Sequence, residues 1–119
     1  MLRNYILLEN VLIEIEKGIK DGINTDILAE KFGLSEGHLR RLFKFAFKQT
    51  IARYIRSRKL AVSTEDILKT DFNIIDIALK YDFDYEQSYI RAFKREFGLT
   101  PGDLRKSNRF VKIKPPLCC

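Results

Sequence analysis

Apolar residues recur at helical spacing through most of the chain. In the first stretch they stand at i, i+3, i+4, i+7 and i+11, which predicts one helix with a single buried stripe. This stripe consists of Leu8, Val11, Leu12, Ile15 and Ile19. The Asp21-Gly22 pair ends the helix. Because strand-like alternation does not persist before residue 109, the sequence predicts an all-α fold of about seven helices.

A short helix and a basic helix follow, joined by a tight turn. Asn24 can cap the short helix with Ile23 and Leu28 as a hydrophobic staple, and Gly33 ends it. Ser35 can cap the next helix. The predicted buried face of that helix is Leu39, Leu42, Phe43, Ala46 and Phe47, and its outer face is Glu36, Gly37, Arg40, Arg41 and Lys44. This order is typical of a helix-turn-helix unit, whose second helix lies in the DNA major groove.

The same pattern returns about fifty residues later. Asn73 and Asp76 can form a capping box, Phe72 and Ile77 a staple, and Asp82 the turn. The apolar positions Tyr89, Ala92, Phe93 and Phe97 each lie fifty residues after Leu39, Leu42, Phe43 and Phe47, and Arg91 and Lys94 match Arg41 and Lys44. Two copies that agree in caps, buried face and basic face disfavour a generic helical bundle.

One longer helix connects the two copies. Between Thr50 and Thr70 the predicted buried stripe is Ile51, Tyr54, Ile55, Ala61, Val62 and Leu68. Such a helix is roughly 30 Å long, against about 34–36 Å for one turn of B-DNA. We therefore expect a first subdomain at 1–48, a linker helix at 49–70, a second subdomain at 71–107 and an extended tail at 108–119. This length predicts that the two recognition helices enter successive major grooves.

The positive charge is concentrated in two blocks. The chain has 22 Lys and Arg residues against 16 Asp and Glu residues, a net charge of +6. Residues 35–60 hold eight basic and one acidic side chain, and residues 86–119 hold eight basic and three acidic ones. Residues 61–85, between these blocks, are acidic. This distribution indicates two contact regions for a polyanion.

Few residues are suited to catalysis or to metal binding. Cys118 and Cys119 are adjacent and His38 is the only histidine, so no zinc set can be assembled. No glycine-rich phosphate loop and no carboxylate pair in an apolar setting is present. We expect no enzyme, no metal and no cofactor. No apolar run is long enough to span a membrane and no signal peptide is recognised, so we expect a cytoplasmic protein without a membrane partner.

These residues resemble the DNA-binding domain of the AraC/XylS family of bacterial transcription regulators. The resemblance covers roughly residues 5–107. It is carried in the first half by Ala29-Glu30-Lys31-Phe32-Gly33-Leu34-Ser35, His38-Leu39, Arg41 and Phe43-Lys44, and in the linker by Tyr54-Ile55, Arg58 and Ala61. In the second half it is carried by Ile77-Ala78, Tyr81, Phe83, Ser88-Tyr89, Arg91-Ala92-Phe93-Lys94, Phe97-Gly98-Leu99-Thr100-Pro101 and Arg105.

The resemblance implies two helix-turn-helix subdomains joined by a long helix, binding double-stranded DNA and activating transcription through RNA polymerase. It places Gly37, Arg40, Arg41, Glu86, Gln87, Ile90 and Arg91 on the base-reading faces. Lys44, Lys48 and Lys94 are expected to contact phosphate, which positions a protein without reading sequence. Arg58 is expected to be structural, bracing the two subdomains.

Three positions depart from the family's pattern. Gly37 offers no side chain for base readout, Asp82 replaces a glycine and Tyr85 replaces a small polar residue. Within this chain, Ile90 stands where the first copy has Arg40. Two alternatives therefore stay open, namely a protein-interaction module that lost DNA binding and a non-specific nucleoid-type binder. The tail segment Val111-Lys112-Ile113-Lys114 suits an extended arm toward a C-terminal effector domain, so the chain is either a stand-alone unit or a piece of a longer protein.

Overall fold

The fold is all-α, as the apolar pattern predicts. The computed structural model describes residues 2–107 and 113–117 of the chain. Within them lie seven α-helices: α1 Leu2–Gly18, α2 Thr25–Lys31, α3 Glu36–Phe47, α4 Ile51–Lys69, α5 Ile74–Lys80, α6 Glu86–Phe97 and α7 Pro101–Ser107. A short 3₁₀ turn, Ile19–Asp21, follows α1. No helix among the described residues is both long and apolar enough to cross a membrane.

The described residues form two compact units. One contains those within Met1–Arg58 and Pro116–Cys119, and the other contains those within Lys59–Pro115. The division falls inside α4, which contributes residues to both units. Each unit holds one helix-turn-helix pair, α2 with α3 and α5 with α6.

The first unit is built on the predicted stripe of α1. All five stripe residues are buried, and so are Leu28 of α2 and Leu39 and Phe43 of α3. The Phe43 ring lies 4.7 Å from Phe47 and 5.6 Å from Tyr54, measured between ring centroids. Burial of such side chains stabilises a fold by about 1.5–3 kcal/mol each. Ala46, which the sequence placed on the buried face, is exposed.

The local signals around the first turn act as the sequence predicts. The Asn24 side chain accepts a hydrogen bond from the Ile27 amide (2.9 Å), and Ser35 Oγ accepts one from the His38 amide (3.1 Å). Gly33 adopts a left-handed conformation with φ of 67°, which glycine reaches without a steric penalty. These caps satisfy amides that the start of a helix leaves unpaired.

The second unit is built on a row of aromatic side chains packed edge to face. Phe83, Tyr89, Phe93 and Phe97 follow one another at centroid distances of 5.3, 5.7 and 4.7 Å. The Tyr89 hydroxyl hydrogen-bonds Ser63 Oγ at 2.7 Å, and Ser63 Oγ also donates to the Leu60 carbonyl. Burial raises the pKa of Tyr89 to about 12. A buried hydroxyl needs such partners because leaving one unpaired costs about 1–3 kcal/mol.

Helix α7 is tied to the end of α4 by Arg105. Its guanidinium donates to the carbonyls of Ile67 (3.0 Å), Phe72 (2.7 Å) and Asp66 (3.4 Å). The Asp66 carboxylate in turn accepts a hydrogen bond from the Tyr81 hydroxyl at 2.8 Å. The Thr100 hydroxyl caps α7 by accepting a hydrogen bond from the Asp103 amide at 3.1 Å.

The single buried stripe predicted for α4 is wrong in its second half. Leu68 is 40% exposed and Val62 is half-buried, whereas Leu60, Ser63, Thr64 and Ile67 are buried. Helix α4 contributes residues to two units, and a different set of its positions is buried in each unit. One periodic stripe does not describe both sets.

The two units share one backbone plan with one insertion. Helices α2 and α5 correspond at an offset of 49 residues, and α3 and α6 at an offset of 50. Both turns close with the same bond across five residues, from Leu34 N to Ala29 O and from Phe83 N to Ala78 O, each 2.9 Å. Only Ser35 lies between this bond and α3, whereas Asp84 and Tyr85 lie between it and α6. Because Ser35 and Tyr85 both occupy N-cap positions, Asp84 is the additional residue.

One local prediction for the second copy is wrong. The Asn73 side chain makes no cap hydrogen bond, although Asn73 occupies the N-cap position. Ile77 is buried and Phe72 is 53% exposed, and the predicted staple between them stays a prediction.

Part of the predicted tail lies outside the described residues. This is the case for 108–112, including Val111 and Lys112, and for Cys118 and Cys119. Residues 113–117 form neither a helix nor a strand. The Leu117 amide donates a hydrogen bond to the Tyr54 hydroxyl at 3.1 Å.

Candidate nucleic-acid interface

Helix α3 presents the first set of predicted DNA-binding residues. Arg40, Arg41 and Lys44 are exposed, and Gly37 is half-buried. A side chain at Gly37 would begin 3.2 Å from Arg41 Nη1, so the Arg41 side chain lies over this glycine. Gly37 therefore gives Arg41 room, rather than making a side-chain contact of its own.

Arg40 is held on its own helix. Its guanidinium donates to the carboxylate of Glu36, four residues earlier, in an exposed ion pair. The pKa of Glu36 is raised, first by hydrogen bonding with the neighbouring Asp26 carboxyl and then by desolvation, although Arg40 acts in the opposite direction. This bond engages Nη2 of Arg40 and leaves its other guanidinium donors available.

Lys44 and Lys48 extend this basic face to the end of α3. Lys48 ends the helix in a left-handed conformation with φ of 61°, which is strained for a residue that has a Cβ. Its ammonium lies 5.3 Å from the ring centroid of Phe45, which is 80% exposed. An open cleft of about 620 Å³ runs along this face, lined by Arg40, Arg41, Lys44, Phe45, Thr50, Ile51 and Ala52.

Helix α6 presents the second set. Gln87, Arg91 and Lys94 are exposed, whereas Glu86 and Ile90 are half-buried. Ile90 stands where the first copy has Arg40, so Glu86 lacks the intrahelical partner that Glu36 has. Among the described residues, the side chains of Arg41, Lys44, Arg91 and Lys94 make no hydrogen bond or ion pair. These four cations are free to bind a phosphate or a base edge.

The start of α6 is less well capped than the start of α3. Tyr85 occupies the N-cap position without a side-chain hydrogen bond, where Ser35 makes one. Asp82, the residue in the second turn, is left-handed with φ of 69°. Its carboxylate lies 2.8 Å from Lys59 Nζ on α4, which offsets part of the strain at this non-glycine residue.

The sequence interpretation missed several residues of this surface. Arg95 is exposed in the last turn of α6, where the first copy has Phe45, so comparing the two copies position by position could have found it. Thr50 caps α4 by accepting a hydrogen bond from the Arg53 amide at 3.1 Å. Thr50 and Thr100 lie fifty residues apart in the sequence, and both cap the helix that follows.

Arg58 and His38 have different surroundings. Arg58 is buried and its guanidinium donates to the Glu16 carboxylate of α1 at 2.5 Å, within the first unit. The predicted bracing of two subdomains by Arg58 stays a prediction. His38 is exposed. Among the described residues, no three His, Cys, Asp or Glu side chains form a group that could hold a metal ion.

Comparison with known proteins gives consistent matches. The model of a helix-turn-helix domain family matches residues 28–107. Over 113 residues the chain is 38% identical to the transcriptional regulator Rob of Salmonella typhimurium, covering 93% of this chain and 39% of Rob. It is also 31% identical to the HTH-type transcriptional activator AarP of Providencia stuartii, covering 86% of this chain and 76% of AarP. The chain thus spans about two fifths of the length of Rob.

The fold has solved counterparts as well. A crystal structure of a transcriptional regulator from Chromobacterium violaceum, described as an AraC-type DNA-binding domain-containing protein, superimposes with a TM-score of 0.77 at 22% identity. The alignment covers 90% of this chain and 96% of that structure. From the duplicated helix-turn-helix units, the family match and these relatives, we conclude that the chain belongs to the AraC/XylS family of helix-turn-helix transcription regulators.

Proposed function

We propose that this chain is a sequence-specific DNA-binding regulator that reads double-stranded DNA with α3 and α6. The observation that carries the proposal is the pair of helix-turn-helix units, each with unpaired cations on the outer side of its second helix. A helix of this kind fits the major groove, where side chains reach base edges. Rob and AarP, whose names describe transcription regulators, support the proposal.

Each residue type suits a distinct contact. Arg41 and Arg91 suit the O6 and N7 acceptors of guanine, Gln87 suits adenine, and Ile90 suits a thymine methyl group. Lys44, Lys48 and Lys94 suit phosphates. Arg40 suits a base or a phosphate through the guanidinium donors that Glu36 leaves available. The two units therefore read different sequences, because Gln87 stands where the first unit has Gly37 and Ile90 stands where it has Arg40, although Arg41 and Arg91 are identical.

We further propose that the chain activates transcription by contacting RNA polymerase. The support is its similarity to AarP, which is named a transcriptional activator. An effector domain outside this chain belongs to the same proposal, since the chain matches only part of Rob.

Selection of binding sites from random duplex DNA tests the proposal. Purified protein at moderate salt should enrich one asymmetric motif with two sub-sites, and their spacing measures whether the two recognition helices enter successive grooves. Strong binding without an enriched motif would favour the nucleoid-type alternative. Absence of binding would favour the protein-interaction module.

A further inference from the structure

The Arg40 side chain is paired within α3. Its Nη2 donates to Oε1 of Glu36, four residues earlier on the same helix, and the two side chains are 59% and 38% exposed. Among the described residues, the side chains of the neighbouring Arg41 and Lys44 make no hydrogen bond or ion pair. Helix α3 therefore holds one of its base-facing arginines in place and leaves the other free.

A second carboxyl group, from another helix, lies beside this pair. Asp26 is exposed in the first turn of α2, and hydrogen bonding with its carboxyl raises the pKa of Glu36. The guanidinium of Arg40 thus has one carboxyl group bonded to it and a second next to that one. We call Asp26, Glu36 and Arg40 the Arg40 cluster. A cation with such neighbours is attracted to DNA phosphates more weakly than an unpaired cation.

The second unit does not repeat the Arg40 cluster. Ile75 of α5 stands where α2 has Asp26, at an offset of 49 residues. Ile90 of α6 stands where α3 has Arg40, at an offset of 50 residues. Helices α5 and α6 nevertheless form the same helix-turn-helix pair, so the fold does not require the cluster. This comparison points to a role in recognition rather than in folding.

The bond to Glu36 changes which DNA groups suit Arg40. It engages Nη2 and leaves the donors on Nη1 and Nε. A phosphate attracts any nearby cation, whereas the edge of a guanine accepts hydrogen bonds only from donors in fixed positions. A side chain that is already oriented loses less conformational entropy when it binds such an edge. The Arg40 cluster therefore favours a base edge over a phosphate as the contact of Arg40.

We infer that Glu36 is a positioning residue for DNA recognition, which orients Arg40 and compensates its charge so that Arg40 contacts a base edge instead of a phosphate. This inference rests on the proposed sequence-specific function and assigns the kind of contact that Arg40 makes. Glu36 acts through Arg40 and need not touch DNA itself. If the pair only stabilised α3 as an ordinary i,i+4 ion pair, replacing Glu36 would change stability but not recognition.

The test measures binding to the selected site, to versions of it with one base pair changed, and to random duplex DNA, at four salt concentrations. Arg40→Ala should lower the preference at one base pair of the α3 sub-site about tenfold and leave the slope of log affinity against log salt unchanged. Glu36→Ala should lower the same preference by a similar factor, because Arg40 loses its orientation. It should also strengthen binding to random DNA and steepen the slope by about 1, because the released Arg40 then contacts a phosphate.

Two comparisons separate this effect from a general loss of negative charge. Glu30→Ala removes an exposed carboxylate from α2 in the same unit and should change neither the preference nor the slope. In the Arg40→Ala background, Glu36→Ala should have no further effect on the preference or the slope, because Glu36 acts through Arg40.

The inference is overturned if Glu36→Ala keeps the base preference and the salt slope of the unmodified protein, even when its free energy of unfolding falls. It is also overturned if Arg40→Ala reduces the slope by about 1, since Arg40 would then be a phosphate contact. The same holds if Glu30→Ala matches Glu36→Ala, or if Glu36→Ala acts equally without Arg40. If selection enriches no motif for the unmodified protein, the sequence-specific function is itself wrong and the inference falls with it.

Discussion

At the scale of single residues, the two recognition helices differ in which side chains are available to DNA. Arg41 and Arg91 occupy equivalent positions, but Arg41 lies over Gly37, whereas Arg91 has Gln87 at the corresponding place. Arg40 is bound to Glu36, and its counterpart Ile90 has no charge. A shared position in the repeat therefore does not imply a shared contact.

Replacing either equivalent arginine should impair base discrimination at one sub-site only. Arg41→Ala and Arg91→Ala should each cost about 1–3 kcal/mol against the selected site, because a lost bidentate contact to guanine carries sequence information. Competition binding with site variants measures the loss. The exposed Lys20→Ala and Lys69→Ala serve as controls. Equal losses on specific and random DNA would show that these arginines contact phosphate.

Adding a methyl group at Gly37 should increase stability and change recognition together. In Gly37→Ala, helix propensity should raise the free energy of unfolding by about 1 kcal/mol. The new Cβ also displaces the end of the Arg41 side chain, so the preference at the base pair read by Arg41 should change. Urea unfolding and a repeat of the selection measure the two effects. An unaltered motif would mean that Arg41 does not depend on Gly37.

Alkaline pH should destabilise the second unit through its buried tyrosines. Burial raises the pKa of Tyr89 to about 12 and also raises that of Tyr81, so the folded state keeps protons that the unfolded state releases near pH 10. Stability is thus complete below pH 10 and falls between pH 10 and 12, by up to about 1.4 kcal/mol per pH unit for each tyrosine. Unfolding in urea between pH 9 and 11.5 measures this decline, which should be shallower in Tyr89→Phe. Identical slopes in both proteins would contradict the pKa shift.

At the scale of elements, the ends of the helices determine how closely the two copies agree. Ser35, Thr50 and Thr100 cap the helices that follow them, but Asn73 and Tyr85 make no side-chain cap bond. In each pair the first helix is followed by a left-handed residue, which is Gly33 in the first unit and Asp82 in the second. The second helix also ends at a left-handed residue, which is Lys48 in the first unit and Gly98 in the second. Each unit thus has one glycine and one strained residue at these two positions.

Substitutions at the left-handed residues that end α3 and α6 should change the free energy of unfolding in opposite directions. Lys48→Gly removes strain and should raise the free energy of unfolding by about 1 kcal/mol, whereas Gly98→Ala should lower it by a similar amount. Lys48→Ala is the control, because it removes the same charge but keeps the strain. Chemical denaturation compares the three variants. Equal stability of Lys48→Gly and Lys48→Ala would show that the left-handed conformation costs nothing here.

At the scale of the whole molecule, two units with one plan have acquired different surfaces. The cations on the outer sides of α3 and α6 lie in the basic blocks, and α5 lies in the acidic block between them. Cations that contact phosphates release counterions, so affinity falls with salt in proportion to their number. The basic residues of both units should therefore contribute additively to this salt dependence.

Lys44 and Lys94 should contribute equally to DNA affinity, whatever the DNA sequence. Lys44→Ala and Lys94→Ala should each weaken binding to specific and to random DNA equally. Each should also reduce the slope of log affinity against log salt by about 1. The double variant should reduce this slope by about 2. Titrations at four salt concentrations measure the slopes. A loss confined to the selected site would assign base contacts to these lysines.

Local signals along the chain are sufficient to predict the helices, their order and the duplication. These features depend on local spacing of apolar residues and on caps such as Asn24, Ser35 and Thr100, which act within a few residues of the chain. The basic outer positions of α3 and α6 followed from the same periodicity. The family likewise could be identified from the sequence, because its motifs are short and contiguous.

Which apolar residues are covered depends on packing between elements, and local spacing does not predict it. Leu68, Phe72, Ile75 and Leu79 have the same chemistry as core residues, yet they are exposed, while Ser63 and Thr64 are buried. Burial depends on which residues, distant in sequence, pack against a position. Ser63 can be buried because its hydroxyl forms a hydrogen bond with the hydroxyl of Tyr89, 26 residues away. The pairing of Arg40 with Glu36 and the space over Gly37 likewise depend on side-chain conformations that residue spacing does not specify.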